Sequence, residues 1–424
     1  RLLRWLAGPL QGATGFLAGA DLNVVAITAA TVLLLGIGLL AIYVAEMANP
    51  DGDNRTLHQG TYVIATLAVM VLVSMIDYRR WGDWAYAHFG LWLVLLAMLI
   101  AAKKLNILNG LIPDIRNTRR WIDVGPVLLQ PSEFAKIAYV IALAWYLRYR
   151  TNYRTLGGLV LPLAMTFVPM FLILLEPDLG TVLLMLPIFF AMLLVAGARR
   201  RHLLSLMLIC VLGSPILYHV MHGYQRMRVL GPFLQSESIR AWILDRPGVL
   251  GALRVTRTQV AQWTSDQGYQ LDRSLVALGT GGWSGAGDPD ADCMRYDFLP
   301  DRHNDFIFSV IGHKWGWVGC LMVVACYGII LVGGCHISTA TNEPFGRLLA
   351  AGLAMLMATQ AVINIGMAIG LLPITGSTLP LVSYGGSSLV STGILMGILL
   401  NIGLRRPILL APEPFIFEKK KDAE

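Results

Sequence analysis

Runs of apolar residues about 17–25 long, the length at which a helix crosses a bilayer, recur ten times along this chain. They cover approximately 23–45, 60–76, 85–102, 131–148, 157–175, 179–197, 203–220, 316–335, 347–369 and 387–404. Strand-like alternation is absent, and lipid admits only helices or closed barrels. The pattern therefore predicts an all-α polytopic membrane protein: a bundle of about ten transmembrane helices forming one domain over 1–424. A long polar connection, about 221–315, separates the seventh run from the eighth, and a polar tail, 405–424, follows the tenth. Within the connection, Ile239–Gln262 carries Trp242, Leu244, Val249, Leu250 and Leu253 and predicts an amphipathic helix lying on the membrane surface.

Composition agrees with this reading. Of 424 residues, 56% are hydrophobic and 14% charged, where a soluble domain carries about 25% charged; mean hydropathy is +0.62. Such a chain cannot cover a water-facing surface. A soluble enzyme, a secreted disulfide scaffold, a disordered protein and a DNA-binding domain are excluded, and no nucleic-acid partner is expected. The five cysteines form no CxxC pair, so neither a disulfide core nor a zinc site is indicated. No small-residue cleavage pattern follows the first long apolar run, so no cleavable signal peptide is expected.

The net charge of +7 resides in the gaps between runs. Arg79–Arg80, Arg148, Arg150, Arg154, Arg199–Arg201, Arg405–Arg406 and Lys419–Lys421 all fall on one side, which the positive-inside rule makes cytoplasmic. Both termini are then inside. The opposite face receives the 103–130 and 221–315 loops, both rich in arginine. Long loops are largely exempt from the rule; the sharper reading is an outward surface that binds a phosphate-bearing anion.

Several polar residues fall at membrane depth, where charge is costly and commonly functional. Glu133 and Lys136 in QPSEFAK share a helix face, either as a self-neutralising pair or as the lining of a polar cavity. Glu176 and Asp178 mark a break at LLEPDLGT, and Asn364 needs a hydrogen-bond partner. Two outer segments interrupt the helical pattern. In NTRRWIDVGPVLLQ, Trp121 is an interfacial anchor or a platform for a sugar ring beside Arg119 and Arg120. In LLPITGSTLPLVSYGGSS, which includes Ser383 and Tyr384, two prolines and three glycines predict irregular backbone buried in protein or lining a cavity. In FLPDRHNDFIF, Asp305 sits where the polar loop meets an apolar helix, as a helix cap or as a partly desolvated base. The spacing of His303, Asp305 and His313 matches no metal template.

RRWID, QPSEFAK, PDLGT, GYQLDRS, ALGTGGWSGAG, LPDRHNDFIF, NIGM and LPITGSTLPLVSYGGSS occur in one order that resembles the SEDS family (shape, elongation, division, sporulation), over essentially the whole chain. The resemblance implies a ten-span protein of the bacterial cytoplasmic (inner) membrane. It implies a glycosyltransferase that polymerises lipid II into peptidoglycan on the outer face, releases undecaprenyl pyrophosphate and acts with a class B penicillin-binding protein. It assigns Asp305 to the family's essential aspartate, and Trp121 with Arg120 to its RW pair. Glu133, Lys136 and Asp178 match polar positions of the central cavity, and Arg119, Arg302, Ser383 and Tyr384 join the expected substrate contacts. His313 and Lys314 replace a usual acidic pair, Asn117 and Thr118 replace Gly-Ala, and the loop over 229–267 is longer than expected. FLPDRHNDF leans toward the elongation branch, while GYQ and TLP resemble the division branch. The diphosphate leaving group would accommodate a divalent cation (Mg or Mn); no other cofactor is indicated. A flippase for the lipid-linked precursor and a non-catalytic scaffold for the transpeptidase are the rival readings.

Overall fold

The apolar runs have few ways to satisfy their peptide groups other than helix, and helices they are. A computed structural model of the protein describes residues 21–47, 54–108, 110–114, 118–125, 128–150, 155, 157–221, 223–286 and 303–405. In chain order the helices are α1 Leu22–Met47, α2 Arg55–Met75, the short α3 Tyr78–Asp83, α4 Ala85–Leu105, α5 Pro131–Leu147, α6 Val160–Leu175, α7 Leu179–Ala196 and α8 Arg200–Val220. There follow α9 Gly223–Leu234, α10 Glu237–Leu244, α11 Pro247–Ala252, α12 Arg257–Trp263, α13 Tyr269–Thr280, α14 Ile307–Ala340, α15 Pro344–Ala368 and α16 Gly386–Leu404. Among the described residues, eight helices are long and apolar enough to cross a membrane. The other two long helices over expected spans are α5, with 17 residues and both Glu133 and Lys136, and α8, which opens on Arg200, Arg201 and His202. The protein is an all-α, multi-pass membrane protein.

Small residues let the spans approach closely, the usual device where lipid supplies no hydrophobic drive between helices. A Cβ on Gly393 of α16 would lie 2.9 Å from the Thr66 carbonyl of α2, and one on Gly397 would lie 2.7 Å from the Met70 carbonyl. The buried centre is made by α5, α15 and α16, nearly all of whose residues are enclosed.

The two ends of the bundle differ in chemistry. At one end Arg79 pairs with Glu343 at 3.4 Å and Arg405 with Asp77 at 3.6 Å. The Tyr78 hydroxyl donates to Glu343, and its backbone N–H to Asn401 Oδ1. The other end gathers residues 106–108, 110–114, 118–125 and 128–130, the α6–α7 turn, α9 to α13 and the 369–385 segment. Residues 122–123 and 128–129 form a minimal antiparallel ladder, Ile122 opposite Leu129, in the first of the two segments that interrupt the helical pattern.

Two expectations need correction. Ile239–Gln262 is not one helix but three, α10 to α12. Pro247 starts the second, and Arg254 turns the chain at φ 50° before the third. These helices pack their own core, with Leu234, Ile243, Leu250, Val260 and Trp263 buried together with parts of α9. The eighth span also begins earlier than its apolar run, at Ile307 rather than 316, and is interrupted at Gly316 (φ 63°, ψ −156°). The turn 281–286 fills that interruption: Trp317 N–H donates to the Gly282 carbonyl, Val318 N–H to Trp283, and Ala286 N–H to His313.

Candidate active site

The organising feature is the span-free segment 371–385, which makes no regular helix or strand; only its ends and the 379–383 turn pair their own peptide groups. Buried carbonyls need donors, and side chains from separate helices supply them. Asn364 Nδ2 donates to the Ser377 carbonyl at 2.6 Å, Gln360 Nε2 to Thr378 at 3.1 Å, Gln59 Nε2 to Ser383 at 3.3 Å and the Tyr327 hydroxyl to Pro380 at 2.5 Å. This answers the requirement set by Asn364 in the sequence, and the irregular backbone expected from the prolines and glycines is present.

The turn 303–306 docks on this segment. Ser383 Oγ donates to the Asn304 carbonyl at 2.6 Å, and Tyr384 N–H to the His303 carbonyl at 2.9 Å. Asn364 Nδ2 also donates to the Asp305 carbonyl at 3.0 Å. Asp305 itself is half-buried, while Phe306, Ile307 and Phe308 behind it are enclosed. Its Oδ2 lies so close to Gly376 that a Cβ there would approach to 3.5 Å. The cap of α14 is Phe306, with no side-chain cap bond, so Asp305 does not serve as the N-cap that its position in the sequence allowed.

Glu133 and Lys136 form a buried pair, 2.8 Å apart and 7% and 2% exposed. Lys136 also donates to Gln360 Oε1 at 2.8 Å, and Ser391 Oγ to Glu133 Oε2 at 3.2 Å. Through Gln360 the pair reaches Thr378, whose hydroxyl lies 2.9 Å from Ser388 Oγ. The pair is thus self-neutralised and braces the same segment that holds Asp305. Asp178 is the N-cap of α7, accepting from Thr181 N–H at 3.2 Å and from the hydroxyls of Thr181 and Ser132 at 3.0 and 3.2 Å.

The expected arginines divide. Arg120 is half-buried; its Nη2 donates to the Pro177 carbonyl at 2.6 Å, while its buried Nε has no hydrogen-bond partner. Arg119 closes the end of α4, donating to the Ala102 carbonyl at 3.1 Å and to Asn106 Oδ1 at 2.6 Å, with Asp114 3.7 Å away. In the long connection, Arg226 and Arg257 donate to carbonyls at helix ends. Trp121 is half-buried beside Arg120, and the Tyr384 ring meets Tyr62 edge-on at 6.1 Å. Arg302 lies outside the described residues.

Glu176, which the sequence reading noted but gave no role, is 4% exposed. Burial, reinforced by Asp178 and opposed by Arg120, pushes its carboxyl up to about 9. At neutral pH it is an uncharged acid. Among the described residues no three His, Cys, Asp or Glu side chains gather.

The model of the FtsW/RodA/SpoVE cell cycle proteins matches residues 25–406. The chain belongs to the FtsW/RodA/SpoVE family. This family includes the peptidoglycan glycosyltransferase MrdB of Escherichia coli, 32% identical over 89% of this chain and 94% of that protein. It also includes a probable peptidoglycan glycosyltransferase FtsW of Idiomarina loihiensis, 31% identical over 89% and 86%. Among solved structures, a chain from work on a peptidoglycan synthase complex that coordinates polymerization and crosslinking is similar with a TM-score of 0.69. That chain is 27% identical, and the match covers 92% of this chain and 98% of the other. Rod shape determining protein RodA of Thermus thermophilus is similar with a TM-score of 0.61, at 26% identity and the same coverage. The family expected from the motifs is therefore the one found, and its two branches match this chain about equally well.

Proposed function

We propose that the chain is a peptidoglycan glycosyltransferase that joins lipid II units into glycan strands at the outer face of a bacterial cytoplasmic membrane, with both termini inside. The reaction class rests on the similarity to curated glycosyltransferases of this family over nearly the full chain. Within the site, the supporting observation is the half-buried carboxylate of Asp305, set against Gly376 at the polar end of α14.

In this reading the acceptor hydroxyl gives its proton to Asp305 and attacks the anomeric carbon of the lipid-linked donor. The C–O bond to the diphosphate breaks, and the anomeric centre inverts. Undecaprenyl pyrophosphate leaves with its charge facing Arg120, and Trp121 offers a face to a sugar ring. Ser383 and Asn364 set the backbone around Asp305, Glu133 and Lys136 brace the 371–385 segment through Gln360, and Asp178 fixes the start of α7. The working partner is a class B penicillin-binding protein, and FLPDRHNDF favours elongation over division.

The deciding experiment is polymerisation of labelled lipid II by purified protein, with and without the cognate penicillin-binding protein. Asp305→Ala should abolish product while the protein stays monodisperse. Undiminished polymer from that variant would remove Asp305 from the reaction. Lipid flipping without polymer would favour the transporter reading.

A further inference from the structure

The end of the bundle opposite Asp305 carries a cationic cluster built on the last turn of α5. Trp145 is wedged there between two elements: its ring meets Phe345 of α15 edge-on at 5.0 Å, and a Cβ on Gly82 of α3 would collide with it. Tyr146, the next residue, is buried. Each ring carries a guanidinium. Arg148 lies over Trp145, with the Tyr149 ring 5.0 Å away, and Arg150 lies over Tyr146 at 4.6 Å. Tyr86, on the first turn of α4, is within electrostatic reach of both arginines.

A cation–π contact holds a guanidinium in place but gives none of its N–H donors an acceptor oxygen. Among the described residues, neither arginine's side chain has a hydrogen-bond acceptor or a carboxylate at ion-pair distance. The adjoining sequence 151–154, TNYR, contains no acid. Arg79 and Arg405, at the same end, are by contrast paired with Glu343 and Asp77. Two preformed forks without counter-charge call for an oxyanion, and their surroundings select its source. Trp84, Tyr86 and Tyr149 are exposed beside them, and such rings settle at the headgroup level of a bilayer. Gly90 and Val94 follow Tyr86 on the same face of α4. Val94 is exposed, and a Cβ on Gly90 would meet nothing within 4 Å, so this face is open to an alkyl chain. A soluble anion makes no use of such a track, and a zwitterionic lipid brings a cation of its own toward the arginines.

We infer that Arg148 and Arg150 bind the phosphate of an anionic glycerophospholipid, whose tail lies along Tyr86, Gly90 and Val94. The inference goes beyond the polymerase reading: the site is at the far end of the bundle from Asp305, and its occupancy needs neither lipid II nor turnover. It also differs from the general attraction of basic loops to anionic lipid, which counts charges. A preformed site depends on arginine at these two positions, because lysine presents a point charge in place of the planar fork.

The test is lipid titration of the full-length protein in detergent, read by native mass spectrometry, with phosphatidylglycerol, phosphatidylethanolamine or inorganic phosphate as probe. The parent should bind phosphatidylglycerol at least about tenfold more tightly than phosphatidylethanolamine. Arg148→Lys with Arg150→Lys keeps the charge but should lose at least about fivefold of that affinity. The matched control Arg199→Lys with Arg200→Lys, at exposed arginines of the same end, should stay within about twofold of the parent. If the Arg148–Arg150 double variant is not monodisperse, Arg150→Lys alone, which leaves Arg148 over Trp145, should still lose about threefold. Equal affinity for the two lipids would overturn the inference, as would unchanged affinity in the Arg148–Arg150 variant. An equal loss in the control pair would reduce the site to non-specific attraction. Full competition by inorganic phosphate at the lipid's own concentration would make it a free-anion site and sink the lipid assignment. Asp305→Ala should bind phosphatidylglycerol as the parent does while making no glycan, so this site and the polymerase reading can fail separately.

Discussion

Single side chains at the Asp305 end differ in whether they are committed to backbone. Ser383 and Asn364 are occupied with carbonyls, whereas the Asp305 carboxylate is half-exposed beside Gly376. Asp305→Asn should therefore lower turnover by about 10²–10⁴, the range for loss of a general base, with a melting temperature close to the parent's. Glu176 makes a different prediction. Its carboxyl is held at about 9 when folded against about 4.3 in the unfolded chain. Between those values the folded state binds more protons, so stability is fully present below the lower value and is lost as pH rises through the upper one. Asp178 and Arg120 face the group, and Lys103, Lys104 and Arg119 share its cavity; none of them removes the trend. Melting in detergent should fall steadily from about pH 5 to 9 for the parent, and Glu176→Gln should flatten that slope. An equal slope in both proteins would show that Glu176 is not the group responsible.

At the scale of elements, the buried Glu133–Lys136 pair and the interrupted helix α14 carry the consequences. Removing one partner of a buried ion pair leaves an uncompensated charge and costs about 3–5 kcal/mol. Lys136→Met should accordingly destabilise strongly, and adding Glu133→Gln should recover much of the loss, as read by thermal unfolding of both variants. A Cβ on Gly281 would lie 1.9 Å from the Gly312 carbonyl, so Gly281→Ala should displace the 281–286 turn from α14, costing more than about 2 kcal/mol and lowering polymerase activity with it. These elements were unequally legible in the sequence. The spans follow from hydropathy, a local property, and the irregular 371–385 segment from Pro373, Pro380 and its glycines. The break at Gly316 was not legible, because it exists only when a turn some thirty residues upstream enters it. The split of Ile239–Gln262 could have been read from Pro247. The carbonyl contacts of Arg119, Arg226 and Arg257 were not legible, because a sequence shows charge but not which helix end will take it up. Glu176 passed without a role because its neutrality depends on burial among residues distant in the chain.

For the whole molecule, the arginine-rich end with Arg79 and Arg405 and the Asp305 end lie on opposite faces of the bundle. The charge pattern assigns the first to the cytoplasm. In a background without reactive cysteines, Asn106→Cys should react with a membrane-impermeant maleimide from outside intact spheroplasts. Asp83→Cys should react only after permeabilisation; the reverse pattern would invert the topology. The nine residues 307–315 form a short lever on top of a full-length span, joined to it at Gly316 and clamped to a different part of the chain. The acid at its tip is consequently insulated from the roll and tilt of the column below. The lower segment is free to adapt to bilayer thickness or to a neighbouring protein over evolutionary time, while the carboxylate keeps its aim.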